Sequence, residues 1–116
     1  MKIITRADER FLAEVLAVVE KHLADTQFNI ETLAQQAGMS QRALNDRLQA
    51  LLGQDGRQFI MAVRLRQAAE LLREDATTVS AVACRTGFKS AGYFARCFKK
   101  RFGCPPSDYA QPKGGE

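Results

Sequence analysis

The amino-acid sequence predicts an all-α fold of about seven helices, with two helix-turn-helix subdomains joined by a long central helix. Only 3 of the 116 residues are proline, and 46% are hydrophobic. Alanine, leucine, glutamine, arginine and glutamate, which all favour helices, are abundant. Apolar residues recur every three or four positions, as on a helix with one buried face. Glycines and small polar residues interrupt this pattern and divide it into separate helices.

The first predicted helix extends from Asp8 to about Ala24. Asp8 is a suitable N-cap because a carboxylate can accept hydrogen bonds from the N–H groups of a first helical turn. The inward side ends at His22, a position more typical of a packed histidine than of a catalytic base. This side carries the apolar stripe Phe11, Val15, Val18, Val19 and His22, widened by Leu12, Leu16 and Leu23.

Two capped helices follow the first one. Asn29 can cap a short helix that ends at Gly38, and Ser40 can cap a longer helix that ends at Gly53. The inward residues of these two helices are Leu33, Ala34 and Ala37, and then Leu44, Leu48, Leu51 and Leu52.

A long linking helix is predicted from about Gly56 to Arg73, after a turn at residues 54–56. At ~1.5 Å per residue such a helix spans roughly 27 Å. Arg64 and Arg66 on this helix are compatible with local pairing and with contacts to phosphate groups, and the sequence leaves both open.

The unit of two capped helices occurs twice. The short helices match at an offset of 49, with Asn29, Ile30, Leu33, Ala34 and Gly38 corresponding to Thr78, Val79, Val82, Ala83 and Gly87. The longer helices match at an offset of 50, with Ser40, Leu44, Leu48, Leu52, Gly53 and Phe59 corresponding to Ser90, Phe94, Phe98, Phe102, Gly103 and Tyr109. The predicted organisation is a first helix-turn-helix subdomain at residues 8–55, a linking helix at 56–75, a second subdomain at 76–110 and a disordered tail at 111–116.

Basic residues are concentrated in the C-terminal third of the chain. The net charge is +4, but residues 76–116 alone carry seven basic and two acidic residues, whereas residues 1–39 carry four basic and six acidic ones. This asymmetry favours a polyanionic partner. A solvated basic helix face would give the same composition, so charge alone does not decide.

A short capped helix, a glycine turn and a longer capped helix are the parts of a helix-turn-helix, whose second helix enters the major groove of DNA. Over residues 8–110 the chain resembles the DNA-binding domain of AraC/XylS-family transcription regulators. The first half of the match is FNIETLAQQAGMSQRALNDRLQALLG, followed by RLRQAAELL. The second half, VSAVACRTGFKSAGYFARCFKKRFGCPPSDY, has the family's GF turn, YF pair, F-K-K-x-F-G run and Pro-Ser-x-Tyr ending. The segment DERFLAEVLAVVEKHLADTQFNIETLA is also similar to the output domain of bacterial hybrid two-component sensors.

The resemblance implies sequence-specific binding to double-stranded promoter DNA. It also implies a role in transcriptional regulation, specifically activation, with RNA polymerase as a further partner. The linking helix and its packing offsets would bring the two recognition helices about one DNA turn, ~34 Å, apart. A monomer could then occupy two successive major grooves of an asymmetric site. The chain has no room for a sensing domain, so it is expected to be an excised output domain or a small stand-alone regulator.

In the first recognition helix, the residues that match the family's DNA-contacting positions are Ser40, Gln41, Arg42, Asn45, Asp46 and Arg47. Arg42 can donate two hydrogen bonds to guanine O6 and N7, and Asn45 can pair in the same way with adenine N6 and N7. Asp46 departs from the family, where a basic residue often stands. It could accept from a cytosine amine, or it could be a solvated acid that repels phosphate. Arg47 is suited to the DNA backbone.

In the second recognition helix, the corresponding residues are Lys89, Ser90, Ala91, Gly92, Ala95, Arg96, Lys99 and Lys100. Four of these residues are at outward positions of the helix, namely Ala91, Gly92, Ala95 and Arg96. The first three have almost no side chain, and Arg96 is the one that can reach a base edge. This half is expected to contribute phosphate contacts and shape fit, with little direct readout. Gly92 costs ~1 kcal/mol of helix propensity, which either a close approach to DNA or neutral drift would explain. The aromatic residues Tyr93, Phe94, Phe98 and Phe102 are predicted to belong to the core rather than to stack on bases, and Phe88 to fill the second hairpin.

Other classes of protein are less compatible with the sequence. No nucleophile–base pair or glycine-rich phosphate loop is recognisable, so neither an enzyme nor a bound cofactor is expected. Cys84, Cys97 and Cys104 form no C-x-x-C pair, which argues for reduced thiols rather than for a zinc site or disulfides. No segment has the ~18 apolar residues of a membrane span, and residues 1–10 lack the apolar run of a secretory signal, so a cytoplasmic location is expected. The remaining alternative is a helical protein-interaction module without DNA affinity, whose binding would depend little on salt.

Overall fold

Seven α-helices make up the regular structure of residues 3–74 and 78–109, which are the residues that the computed structural model describes. The helices are α1 (Arg6–Lys21), α2 (Ile30–Ala37), α3 (Gln41–Leu52), α4 (Gly56–Arg73), α5 (Val79–Arg85), α6 (Ala91–Phe102) and α7 (Pro106–Tyr109). These ranges contain no strand, so the all-α prediction is confirmed. The linking helix has the predicted bounds. The predicted tail at residues 111–116 lies outside the described residues.

Helix α1 begins earlier than predicted, because Thr5 and not Asp8 is its N-cap. The Thr5 hydroxyl accepts a hydrogen bond from the Asp8 backbone N–H at 3.1 Å, and the Asp8 carboxylate accepts one from the Thr5 N–H at 3.1 Å. These reciprocal bonds form a capping box. The helix ends at Lys21, three residues before the predicted end, and the next residue, His22, stacks on Phe28 with ring centroids 5.0 Å apart.

The two copies of the repeat have the same capping geometry. In each cap a side-chain oxygen accepts from the backbone N–H three residues later, at 3.0 to 3.1 Å. The four pairs are Asn29 with Thr32, Ser40 with Ala43, Thr78 with Ala81, and Ser90 with Tyr93. One difference occurs at the end of α5, which stops at Arg85 with Thr86 as its C-cap. The buried Thr86 hydroxyl donates to the Val82 carbonyl at 2.7 Å, and Gly87 follows outside the helix.

The described chain divides into two units, and the boundary between them lies within α4, after residue 63. The first unit comprises residues 3–22 and 27–63. Its core includes Phe11, Val15, Val19, Leu33, Leu44 and Leu48, all buried. Leu52, predicted to extend this apolar face, is 42% exposed. It is the last residue of α3, where solvent reaches the side chain from the helix end.

The second unit comprises residues 23–26, 64–74 and 78–109. Its core includes a series of aromatic contacts: the ring centroids lie 5.0 Å apart for Phe88–Phe94, 5.6 Å for Phe94–Phe98 and 5.2 Å for Phe98–Tyr109. Such edge and tilted pairs contribute about 0.5–1.5 kcal/mol each beyond burial. The core prediction is confirmed for Phe94 and Phe98, and Phe88 is buried as predicted. It is wrong for Tyr93, whose side chain is 44% exposed.

Within the described residues, every helix is too short or too polar to cross a membrane.

Candidate nucleic-acid interface

Helix α3, which the sequence predicts to be the first recognition helix, has an apolar face in the core and a polar face in solvent. Leu44 and Leu48 are completely buried, and Gln41, Arg42 and Asp46 are exposed. Among the described residues, these three side chains have no hydrogen-bond partner. The end groups of Gln41 and Arg42 are therefore exposed and make no hydrogen bond to the described part of the protein.

Asn45, a predicted base-contacting residue on the same helix, is engaged within the protein. Its side chain is half-buried, and its Oδ1 atom accepts a hydrogen bond from the backbone N–H of Gly56 at 2.7 Å. Gly56 is the first residue of α4. The bond therefore joins the middle of the recognition helix to the start of the linking helix.

Arg47, predicted to contact the DNA backbone, lies against α1. Its Nη2 atom donates to the carbonyl of Ala7 at 3.4 Å and to the carboxylate of Asp8 at 3.3 Å. Its guanidinium lies 4.2 Å from the centre of the Phe11 ring. The backbone N–H of Thr5 is the main cause that lowers the pKa of Asp8, and hydrogen bonds from the Thr5 side chain and from Arg47 lower this pKa further. Arg47 thus fixes the start of α1 on α3.

Replacing Arg47 by alanine is expected to lower the free energy of unfolding by about 0.5–1 kcal/mol through loss of the cation–π contact with Phe11. The change should leave the base preference of the domain as it is, because the guanidinium faces α1. Urea denaturation measures the first effect, and Arg42→Ala, at an exposed position of the same helix, is the matched control without a stability loss. A destabilisation by Arg42→Ala equal to that of Arg47→Ala would contradict the assignment.

The second recognition helix, α6, presents a basic and otherwise small surface. Gly92, Arg96, Lys99 and Lys100 are exposed, Ala91 and Ala95 are half-buried, and Lys89 and Ser90 are exposed just before the helix. The helix contains four basic residues and no acidic one. Its net charge is therefore more positive than that of α3, where Asp46 offsets one arginine.

Sequence reasoning left out three exposed residues of the second unit. Tyr93 lies next to Arg96, whose guanidinium is 5.9 Å from the centre of its ring. The signal was available, since Tyr93 is one position away from the i, i+4 stripe of Phe94 and Phe98 and so points about 100° away from it. Arg85 and Arg101 are also exposed, and both stand in the last turn of a helix.

The two arginines of the linking helix differ in their surroundings. Arg64 is half-buried and its Nη2 atom donates to the carbonyl of Asp25 at 2.9 Å. Burial lowers the pKa of Arg64, and the Asp25 carboxylate acts in the opposite direction. Arg64 is therefore paired with the Asp25 carbonyl within its own unit, whereas Arg66 is exposed.

Comparisons with known proteins place these features in a family. Residues 33–112 match the family described as "Helix-turn-helix domain". The chain is 34% identical over 106 residues to histidine kinase P4 of Formosa agariphila. The matched residues make up 91% of this chain and 8% of that protein. It is 32% identical over 101 residues to the HTH-type transcriptional activator RhaS of Escherichia coli, which covers 87% of this chain and 36% of that protein. The chain thus spans a minor part of both curated relatives.

Solved structures of similar fold include one with bound DNA. The DNA-binding domain of AdpA, described as a global transcriptional factor and solved with a target DNA, is 36% identical, with a TM-score of 0.78 and coverage of 89% of this chain and 97% of that one. The C-terminal domain of AraT, a response regulator from Geobacillus stearothermophilus, is 24% identical, with a TM-score of 0.80 and coverage of 91% and 88%. The second likeness concerns the fold alone.

Proposed function

Since this chain belongs to the family of AraC-type helix-turn-helix DNA-binding domains, we propose that it binds double-stranded promoter DNA sequence-specifically, with α3 and α6 as recognition helices. The observation that carries the proposal is the repeated hairpin itself. In both copies a serine caps the longer helix, buried apolar residues hold it on its unit, and polar or basic residues occupy the opposite face. The 36% identity to a domain solved with its target DNA supports the same function.

The two helices have different roles in this proposal. Gln41 and Arg42 on α3 contact base edges, with Arg42 donating to a guanine. On α6, Arg96 reaches a base edge, Lys99 and Lys100 contact phosphates, and Ala91, Gly92 and Ala95 allow the helix to lie close to the groove. Lys89, just before α6, also contacts a phosphate. The hydroxyls of Ser40 and Ser90 accept from backbone N–H groups, and each keeps its own O–H for donation to a phosphate.

Asp46 is assigned the role of a solvated acid at the edge of the interface. Its carboxylate is exposed and would repel phosphate, which reduces non-specific affinity and makes binding by α3 depend more on base contacts. The alternative role, acceptance from a cytosine amine, would appear as a preference for cytosine that Asp46→Ala abolishes.

The proposal extends to the arrangement on DNA and to the parent protein. A monomer is proposed to occupy an asymmetric site in two successive major grooves, with residues 8–55 and 76–110 as subdomains and 56–75 as the linking helix. The name of RhaS as a transcriptional activator supports activation, and RNA polymerase is proposed as the partner in that role. The histidine kinase relative supports a role at the end of a two-component sensor. Binding to a bacterial promoter would place this domain in the cytoplasm.

Selection from a pool of random ~25-base-pair duplexes, repeated across a salt series, tests the proposed function. An enriched asymmetric motif with two blocks about ten base pairs apart is expected. Steep salt dependence without an enriched motif would mean that binding is electrostatic only. Absence of binding at low salt would contradict DNA binding and favour a protein-interaction module.

Variants of the two helices are expected to separate base contact from phosphate contact. Arg42→Ala should cost about 1–3 kcal/mol on the selected site and relax the preference at one base pair. Lys99→Ala should weaken binding to all sequences alike and reduce the salt slope by about 1. Fluorescence anisotropy on matched and mismatched duplexes measures both effects. If Arg42→Ala left the preference unchanged, direct readout would have to come from other residues.

A further inference from the structure

Three polar side chains accept hydrogen bonds from backbone N–H groups in the first turn of α4 and in the residue before it. Asp55 and Gln58 form a reciprocal pair at 2.9 Å, in which each side chain accepts from the backbone N–H of the other. Neither side chain reaches the N–H of Gly56. That group is bound by Oδ1 of Asn45, eleven residues earlier on α3, at 2.7 Å.

Gly56 is buried, which makes the bond from Asn45 important. A buried backbone N–H without an acceptor costs about as much as the loss of a hydrogen bond and the desolvation of the group. A side chain at position 56 would overlap Cδ1 of Ile30 on α2 and would come within 3.0 Å of Oδ1 of Asn45. Helices α2, α3 and α4 therefore approach one another closely at this point of the first unit.

The same bond conflicts with the recognition of adenine by Asn45. Only the amide oxygen can accept from an N–H, so the bond to Gly56 orients Oδ1 toward a buried backbone group. Bidentate pairing with adenine requires this oxygen at the base edge, to accept from N6 while the amide nitrogen donates to N7. An Asn45 side chain turned to a base would leave the Gly56 N–H without its acceptor.

We propose that Asn45 is a positioning residue, which fixes α3 against the start of α4 and leaves base contact to the first turn of α3. Gln41 and Arg42 then supply the direct readout of the first half-site. This assignment refines the proposed function, on which its DNA part rests. The part that concerns the Gly56 N–H stands on the structure of the first unit alone.

Two substitutions distinguish a positioning residue from a base-contacting one. Asn45→Ala removes the acceptor and is expected to raise the equilibrium constant of unfolding by about fivefold or more. Asn45→Asp keeps an acceptor oxygen of similar shape and adds a negative charge near the start of α4, which favours the helix. Its stability is therefore expected to equal or exceed that of the unchanged chain. Urea denaturation of the full chain measures both.

Selection of DNA sites with the same variants provides the second measurement. Asn45→Asp should keep the order of base preferences, with affinity lowered alike for all sequences by its charge. Asn45→Ala should lower the affinity for DNA, and the loss should be spread over all base pairs of the first half-site. It should not remove a preference for adenine at any single position. Gln41→Ala is the control with the opposite pattern, since it should change base preference and leave stability as it is.

Two results would overturn the proposal. One is an Asn45→Ala variant as stable as the unchanged chain. The other is a loss of preference by roughly tenfold or more at one A·T pair in both Asn45 variants, which is the effect of a removed bidentate contact. If the unchanged chain selected no motif, the proposed function would fail, while the stability comparison would still decide the role of Asn45.

Discussion

Gly87→Ala is expected to destabilise the second unit by about 3 kcal/mol or more, whereas Gly38→Ala, at the equivalent position of the repeat, should cost only about 1–2 kcal/mol. Both glycines have positive φ, +84° and +69°. A Cβ at Gly38 would meet no atom within 4 Å, so only the left-handed backbone opposes the substitution. A Cβ at Gly87 would overlap the backbone carbonyl oxygen of Leu23 and lie 2.9 Å from Cζ of Arg64.

The two glycines differ because a segment of the second unit, residues 23–26, lies next to Gly87, whereas no atom lies within 4 Å of a Cβ at Gly38. The Arg64 guanidinium donates to the carbonyl of Asp25 in this segment at 2.9 Å and lies beside Gly87. A backbone carbonyl cannot move as the end of a flexible side chain can, so the segment would have to shift. Thermal denaturation of the two variants measures the difference. Equal shifts of Tm would mean that the backbone at Leu23 can move away from the added methyl group with little loss of stability.

Gly92→Ala is expected to affect stability and DNA binding in opposite directions. Gly92 lies in the first turn of α6 without a positive φ, and a Cβ there would meet only Nη1 of Arg96, at 3.8 Å. The fold therefore does not require glycine, and alanine should raise the free energy of unfolding by up to about 1 kcal/mol. On the proposed DNA face the added methyl group would keep the helix from its closest approach. An affinity loss of about tenfold, or 1.4 kcal/mol, is expected.

The salt dependence of binding is the internal control for this variant. Gly92→Ala changes no charge, so the slope of affinity against salt should stay the same while the affinity at each salt concentration falls. A series with serine and valine at position 92 should give a progressive loss. A Gly92→Ala variant that binds at least as tightly as the unchanged chain would show that this glycine does not lie against DNA.

The elements that depend on near neighbours in the chain were predictable from the sequence. A cap is a hydrogen bond between residues three positions apart, and the buried face of a helix repeats every three or four residues. Asn29, Ser40, Thr78 and Ser90 could therefore be identified as caps, and the bounds of α4 were predicted at Gly56 and Arg73. The equivalence of the two hairpins followed from the same local signals, because each copy contains its own caps and glycines.

The errors and omissions have two physical causes. Thr5 was missed as N-cap because Asp8 satisfies the same local rule, and only the reciprocal bonds distinguish the cap from the third helical residue. Tyr93 is a separate case, because its position one residue off the stripe of Phe94 and Phe98 already indicates an outward side chain. Exposure at Leu52 depends on what covers a side chain from other elements. A periodic pattern gives the side of a helix that faces inward, but not where along the helix that cover ends.

The sequence by itself determined the helices, their repetition and the two helices that are proposed to face DNA. Only the tertiary structure decided the use of individual polar side chains on those faces. Arg42, Asn45 and Arg47 look alike as outward polar residues of α3, yet one is exposed, one binds the Gly56 N–H and one binds α1. Their partners are 11 and 39 positions away in the chain. Such bonds exist only after the helices have packed, and helical periodicity contains no information about them.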